Sequence, residues 1–414
     1  MRINKVTTSM KILYFHQHFS TPDGATGTRS YEMASRLVSN GHQVLMVCGS
    51  YGNGITGLTG RFRGGKRRGW VEGIEVIEFD LAYSNRDGFL KRTWTFLKFA
   101  MRSMRLAVSE QCDIVFATTT PLTAALPGIA AKWIKRRPFV FEVRDLWPEL
   151  PKAMGVITNK PMLWALGLLE WLAYKSADRL IGLSPGIADG TARFGKDRRV
   201  IAMIPNGCDI GLFQGTVEPW RPIGISGDDF LAVFTGTHGV ANGLDAVIDA
   251  ATILKKRGAT GIKALLIGDG KEKLRLLERV REEGLDEYII FHNPVPKTRL
   301  AGLLASADLG LQILANVPAF YYGTSPNKFF DYLAAGLPIL TNYPGWIADL
   351  VEDNQCGIAT PAADPELFAN ALINMANKSE IDRAAMRERA KRLAHDQFNR
   401  DHLFIQFSNH LLGY

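Results

Sequence analysis

The sequence predicts an α/β protein made of two tandem, doubly wound, parallel-sheet domains. Three observations predict it. Short aliphatic or β-branched runs alternate with longer helical patterns along the whole chain, as βαβ units require. The 414 residues exceed one ordinary domain, taking about 150 residues per domain as a prior. A stretch with Pro219, Pro222 and three glycines, residues 215–227, interrupts the alternation near the middle.

The elements follow in order. Strand 12–15 leads through a loop holding Gly24 and Gly27 into helix 30–39, then Gly41-His42 and strand 44–47, which is one βαβ unit. Further strands are read at 74–79, 114–117, 139–143, 179–183 and 200–204, the last running into Pro205-Asn206-Gly207. After the interruption come strand 231–235, helix 243–257, strand 264–267, helix 271–283 and strand 289–291. Strand 309–312, helix 328–335, strand 338–341 and helix 364–377 complete the second series. The predicted division is therefore a first domain 1–214, a linker 215–227 and a second domain 228–395. Residues 396–414 are amphipathic and are expected to cross back to the first domain. The cleft between two such domains is the default ligand site.

Composition narrows the function classes. With 46% hydrophobic and 22% charged residues, the chain is neither a disordered polymer nor a fibrous protein. The net charge of +8 is uneven: residues 1–215 hold 29 Lys and Arg against 17 Asp and Glu, and the remainder holds 20 against 24. A basic first half implies an anionic partner, whether phosphate, membrane surface or nucleic acid. Cys48, Cys112, Cys208 and Cys356 lie far apart with no metal-ligand spacing, so free thiols in a reducing compartment are expected. The first ten residues lack an apolar signal core, and Met10 is an alternative start to Met1. The longest apolar run, 161–173, is too short to span a bilayer and carries Glu170.

Several motifs carry chemistry. Gly24 and Gly27 precede a helix, an arrangement that fits either a phosphate cradle or a tight turn without ligand. In the second half, Gly236, Thr237, His238 and Gly239 follow a strand, and Gly268, Asp269 and Gly270 end the next one. Glycines at neighbouring carboxyl edges allow close backbone approach to a ligand. The block from Gly323 to Pro338 opens a helix near Asn327, so that N–H groups, the helix dipole and Lys328 can hold a diphosphate. Asp331, one turn on, has the acceptor capacity for a ribose diol, although a first-turn Asp and a solvated Lys are the plainer reading.

At these residues the chain resembles the retaining GT-B glycosyltransferases of family 4, the branch of bacterial lipopolysaccharide, capsule and exopolysaccharide assembly. The resemblance rests on Phe141-Glu-Val-Arg-Asp-Leu-Trp-Pro-Glu149, Ile204-Pro-Asn-Gly207 with Asp209, the 268–270 turn and the Pro326-to-Pro338 block. It implies a GT-B fold and a nucleotide diphosphate-sugar, UDP-linked, in the second domain. The base would lie near Val295, and the diphosphate near residues 236–239, Asn242, Ser325, Asn327 and Lys328. Asp331 stands where the second acid of the family's E-x7-E pattern lies, and Gly323 replaces the first. Thr237 and Asn242 stand near positions that hold Arg and Lys in many relatives, which throws more of the diphosphate charge onto Lys328. Arg144 and Asp145 are assigned to positioning at the transition state, with a buried structural Arg–Asp pair as the competing reading. The implied reaction retains configuration and uses neither metal nor cofactor, the nucleotide sugar being a substrate. His16, His18 and His238 would be the bases of an inverting alternative, against ordinary loop histidines.

Two stretches bear on the acceptor. Leu90, Trp94, Leu97, Met101, Met104 and Val108 form a helical stripe flanked by Lys91, Lys98, Arg102 and Arg105, and residues 61–70 add five positive charges in what reads as a mobile loop. An anionic membrane surface, met through 61–70 and 89–108, suits both. A core helix with solvated lysines competes for the stripe. Nucleic acid is the rival partner of the basic loop, but no nucleic-acid module accompanies it. The expectation is a cytoplasmic enzyme peripherally bound to the inner face of the plasma membrane, extending a polyprenyl-diphosphate-linked saccharide. A sugar-nucleotide epimerase of the same fold and a non-catalytic member of a polysaccharide assembly complex remain open alternatives.

Overall fold

The computed structural model describes residues 9–24, 26–52, 54–83 and 87–414. Residues 1–8, which bear on the choice of start, and Ala25 of the first glycine loop lie outside them. The chain forms two compact units. The first takes the described residues up to Pro205, with Gly323–Ser325 and Leu403–Tyr414; the second takes Asn206–Tyr322 and Pro326–His402.

The first unit is built on eight strands: β1 (Lys11–Phe15), β2 (Gln43–Tyr51), β3 (Lys66–Val71), β4 (Ile74–Tyr83), β5 (Ile114–Thr118), β6 (Phe139–Val143), β7 (Arg179–Gly182) and β8 (Ile201–Met203). Their order is β3-β4-β2-β1-β5-β6-β7-β8. Every pairing is parallel except β3 with β4. All residues of β5 and β6 are buried, which is why these strands read as unbroken apolar runs rather than alternating ones.

Residues 61–70 are not a mobile loop. Arg63 and Lys66 exchange backbone hydrogen bonds across Gly64 and Gly65, whose φ values are +57° and +74°. Two positive φ values are what a two-residue hairpin of this hand demands, and glycine meets them without strain. The returning strand is β3. Of the five cations in residues 61–70, Arg67 pairs with Glu78 at 2.7 Å and Arg68 with Glu75 at 2.6 Å, so part of the expected positive patch is neutralised.

The second unit holds β9 (Phe230–Thr235), β10 (Ile262–Ile267), β11 (Ile289–His292), β12 (Leu309–Gln312), β13 (Ile339–Thr341) and β14 (Gly357–Ala359), ordered β11-β10-β9-β12-β13-β14. All its pairings are parallel. The order reverses between β9 and β12, so the turn leaving β9 lies at the topological switch point, where doubly wound sheets take ligands.

The boundaries depart from the expected ones. The second unit begins at Asn206, upstream of the expected linker, and that stretch is strapped to helix Lys297–Ser306. Ser306 Oγ donates to the Trp220 carbonyl at 2.7 Å, and Arg221 Nη2 donates to the Ser306 carbonyl at 2.7 Å. Pro and Gly mark irregular backbone, and side-chain partners decide whether that backbone is free. At the other end Leu403–Tyr414 joins the first unit: Phe407 packs edge-on to Phe116 at 5.2 Å, and Arg179 Nη1 donates to the Leu411 carbonyl at 3.0 Å.

Candidate functional site

In the second unit, the carboxyl ends of β9 and β10 are locked together by backbone. Gly236 N donates to the Ile267 carbonyl and His238 N to the Asp269 carbonyl, both at 2.9 Å. A Cβ on Gly268, whose φ is +153°, would lie 1.8 Å from the Gly236 carbonyl oxygen. Only glycine allows this approach. Gly270 N is bonded to the Asp269 carboxylate at 2.9 Å, and Gly270 packs against the His238 backbone. Gly236 and Thr237 are exposed at the edge.

His238 takes part by its backbone and not by its ring. The imidazole is fully buried between Phe234 and Phe291, and burial lowers its pKa to about 4, so it stays neutral at pH 7.

Helix Asn327–Ala335 delivers Lys328 to the same edge. Its Nζ donates to Asn242 Oδ1 at 2.8 Å and lies 4.6 Å from the centre of the Phe234 ring, while Asn242 Nδ2 donates to the Thr237 carbonyl at 2.7 Å. Asn242 thus ties the turn to the lysine. Among the described residues no carboxylate pairs with Lys328, and desolvation lowers its pKa to about 7. Asn327 is exposed at the helix start, Ser325 groups with the first unit, and Val295 is half-buried in the loop after β11.

Asp331 sits elsewhere than an open ribose site. Its Oδ1 lies 3.1 Å from Lys297 Nζ, Lys297 also pairs with Asp209, and Asp209 with Arg400. Four charges that sum to zero are buried together. Burial works to lower the Lys297 pKa, but the two carboxylates outweigh it and hold the lysine protonated; burial raises Asp331.

In the first unit, the carboxyl edges of β1, β5 and β6 converge on Glu142. This fully buried carboxylate accepts from Arg29 Nε at 3.0 Å, Arg29 Nη2 at 2.9 Å and Thr118 Oγ1 at 2.8 Å. Burial alone would raise its pKa; Arg29 and Arg144 reverse the sign and hold it below the usual carboxylate range. Arg29 also donates to the carbonyls of Ile204 and Pro205, which ties the start of the Ile-Pro-Asn-Gly run to this network.

Arg144 and Asp145 are not an ion pair with each other. Arg144 donates to Thr118 Oγ1 and Ser30 Oγ, each at 2.8 Å, and lies 3.3 Å from Glu142, whereas Asp145 accepts from Thr120 Oγ1 at 3.0 Å. Burial raises the Asp145 pKa. Both are half-buried at the edge, apart from the fully enclosed Glu142. His16 is buried and His18 half-buried, and both are held neutral, His18 down to about 3. The His18 ring lies tilted at 5.1 Å from the Tyr51 ring and 4.7 Å from that of Tyr83. Gly24 closes a turn by donating to the Thr21 carbonyl at 3.1 Å.

Comparison with known proteins decides the family. Residues 24–207 match the glycosyl transferase 4-like domain, and residues 229–378 match glycosyl transferases group 1. The chain is a GT-B glycosyltransferase. It is 26% identical over 388 residues to N-acetyl-alpha-D-glucosaminyl L-malate synthase of Bacillus anthracis, covering 93% of this chain and 92% of that protein. It is 26% identical over 202 residues to D-inositol 3-phosphate glycosyltransferase of Paenarthrobacter aurescens (strain TC1), and there the match spans only 48% of the relative. The GT-B fold also matches Anabaena HepE, solved in complex with UDP-glucose, with a TM-score of 0.68 at 18% identity over 98% of this chain and 100% of that one.

For a GT-B chain, sequence reasoning named Lys328 and the two glycine turns, and the second unit brings them to one edge. It missed Arg29, Glu142 and Lys297 as partners. The signal for Glu142 was available: a single acid inside the apolar strand Phe-Val-Phe-Glu-Val must be paired to be buried.

Proposed function

We propose that this GT-B enzyme transfers a sugar, with retention, from a UDP-sugar to a polyprenyl-diphosphate-linked saccharide at the cytoplasmic face of an anionic membrane. The observation that carries the donor half is Lys328: a cation with no carboxylate partner among the described residues, held by Asn242 beside the switch-point turn. In the turn, Gly236 and His238 use their N–H groups on β10 and its loop, which leaves Thr237 and Gly239 to face a diphosphate. Lys328 and the helix start at Asn327 then stabilise the charge that develops as the sugar bond breaks, the need a metal would otherwise meet. The β-phosphate oxygen released takes the acceptor proton. Arg144 and Asp145 position the transferred sugar, and Asp331, once drawn from Lys297, accepts from the ribose. HepE's binding of UDP-glucose supports UDP as the carrier.

The acceptor half is supported by the surface of the first unit. Among the described residues no helix is long and apolar enough to cross a membrane. Helix Phe89–Ser109 buries Thr95, Phe99, Ala100, Ser103 and Ala107 and still turns Leu90, Trp94, Leu97 and Met101 outward. A fully buried Leu or Phe stabilises a fold by about 1.5–3 kcal/mol, so a stripe left in water indicates another apolar phase.

The test is a panel of UDP- and GDP-sugars with lipid-linked saccharide, L-malate or no acceptor. Transfer to the lipid-linked saccharide alone supports the reading. Turnover without acceptor would instead mark an epimerase, and absence of nucleotide binding a non-catalytic assembly partner.

A further inference from the structure

Helix Lys160–Ser176 is apolar on both sides. Leu166, Leu169 and Leu172 pack against the core with buried Ala173 and Tyr174, yet Trp164, Leu168 and Trp171, at i, i+4 and i+7, are 72%, 47% and 43% exposed. An ordinary surface helix keeps its outer face polar. Between Lys160 and Lys175 the only charged residue is Glu170, and it is buried on Arg193. Helix Ala125–Lys135 packs between this helix and Phe89–Ser109. It ends in exposed Trp133 and Ile134, and Trp133 Nε1 donates to Ser176 Oγ at 2.8 Å, so the three helices form one continuous surface.

Charge identifies what covers it. None of the three helices carries an exposed carboxylate, while Lys98 and Arg105 on one and Lys160 and Lys175 on another flank the apolar residues, with Lys135 and Arg136 at the end of the third; Lys132 is paired with Asp178 at 2.5 Å and Arg102 donates to the Gly65 carbonyl at 2.9 Å. A second copy of the chain would bring the same basic face and be repelled. An anionic bilayer complements both features, because indole rings favour the headgroup boundary and lysines the lipid phosphates.

We propose that helix Lys160–Ser176, with Trp133 and Ile134 beside it, is a second membrane-docking element that seats Trp164, Leu168 and Trp171 at the headgroup boundary of an anionic bilayer. The inference deepens the membrane reading above and rests on it. Two docked helices fix the orientation of the first unit on the membrane, where one would leave it free to roll.

The test sediments the full chain with phosphatidylcholine vesicles and with phosphatidylcholine–phosphatidylglycerol vesicles, and repeats it with brominated lipid to quench indole fluorescence. The triple variant Trp164→Ser, Leu168→Ser, Trp171→Ser should bind the anionic vesicles about tenfold or more weakly and lose most of the quenching. UDP titration of the same preparations reports folding and the donor site separately. Retention of wild-type vesicle affinity by the triple variant overturns the inference. If Trp94→Ser, Leu97→Ser alone abolishes binding, membrane docking stands and the second element falls. Loss of a concentration-dependent self-association in the triple variant, without lipid, would make the face a protein interface and also overturn it.

Discussion

The Nζ of Lys328 donates to Asn242 Oδ1 at 2.8 Å, and the same amide donates to the Thr237 carbonyl, so one asparagine couples this lysine to the backbone of the turn after β9. The proposed donor site makes this lysine the partner of the diphosphate. Removing the charge by Lys328→Met should weaken UDP binding about 10–100-fold, the worth of a hydrogen bond to a charged group. Calorimetry checks it, and unchanged affinity would reject the role.

The pKa of about 7 gives that site a proton signature. At pH 8 most Lys328 is neutral in the free protein, and a bound diphosphate restores its charge, so binding takes up a proton. At pH 6 the lysine is already charged and uptake vanishes. Above pH 7 affinity should therefore fall by up to about tenfold per pH unit. Binding enthalpy at pH 8 should scale with the buffer's ionisation enthalpy in wild type and not in Lys328→Met.

Gly268→Ala places a methyl 1.8 Å from the Gly236 carbonyl oxygen and must push the two turns apart. UDP affinity should fall at least as far as in Lys328→Met. Gly227→Ala, with nothing within 4 Å of the added carbon, is the control and should leave affinity unchanged. Equal behaviour of the two variants would show that the close approach is dispensable.

Glu142→Gln keeps the shape of the first-unit network and leaves Arg29 buried without its counter-charge. The cost should be about 3–5 kcal/mol, read as a lowered denaturation midpoint. Adding Arg29→Met should recover part of it, and a double variant no more stable than the single one would argue against charge as the cause.

Arg144→Met addresses the sugar rather than the nucleotide. Because Arg144 belongs to the first unit, UDP affinity should hold while kcat falls by roughly 10²–10³-fold. A matching loss of UDP affinity would place its effect elsewhere.

Much of this was legible in the residues. Alternation of short apolar runs with helical periods located all but the edge strands β3 and β14: buried parallel strands leave an apolar signature, whereas β3 is Lys-Arg-Arg-Gly-Trp-Val and β14 is three half-buried residues. The glycine turns were legible because close backbone approach leaves a residue type behind. Partner choice was not. Asp331 reads identically whether it faces ribose or Lys297, since the lysine lies more than thirty residues away and only folding brings it near. The 215–227 stretch failed for a related reason: Trp220 and Arg221 find their partners on a helix some eighty residues downstream. Arg144-Asp145 looked like a pair because the two are adjacent, although neighbours leaving a strand point to opposite sides.

The seating of Phe407 on Phe116 bears on how the protein is made. The first unit leaves the ribosome first, but its core is closed by the last dozen residues, after some two hundred others have been translated. At about 5–20 residues per second, that unit waits on the order of 10–40 s with an aromatic face uncovered. Its completion thus waits on residues that follow the second unit, and a chain truncated anywhere in that unit carries a first unit that was never finished.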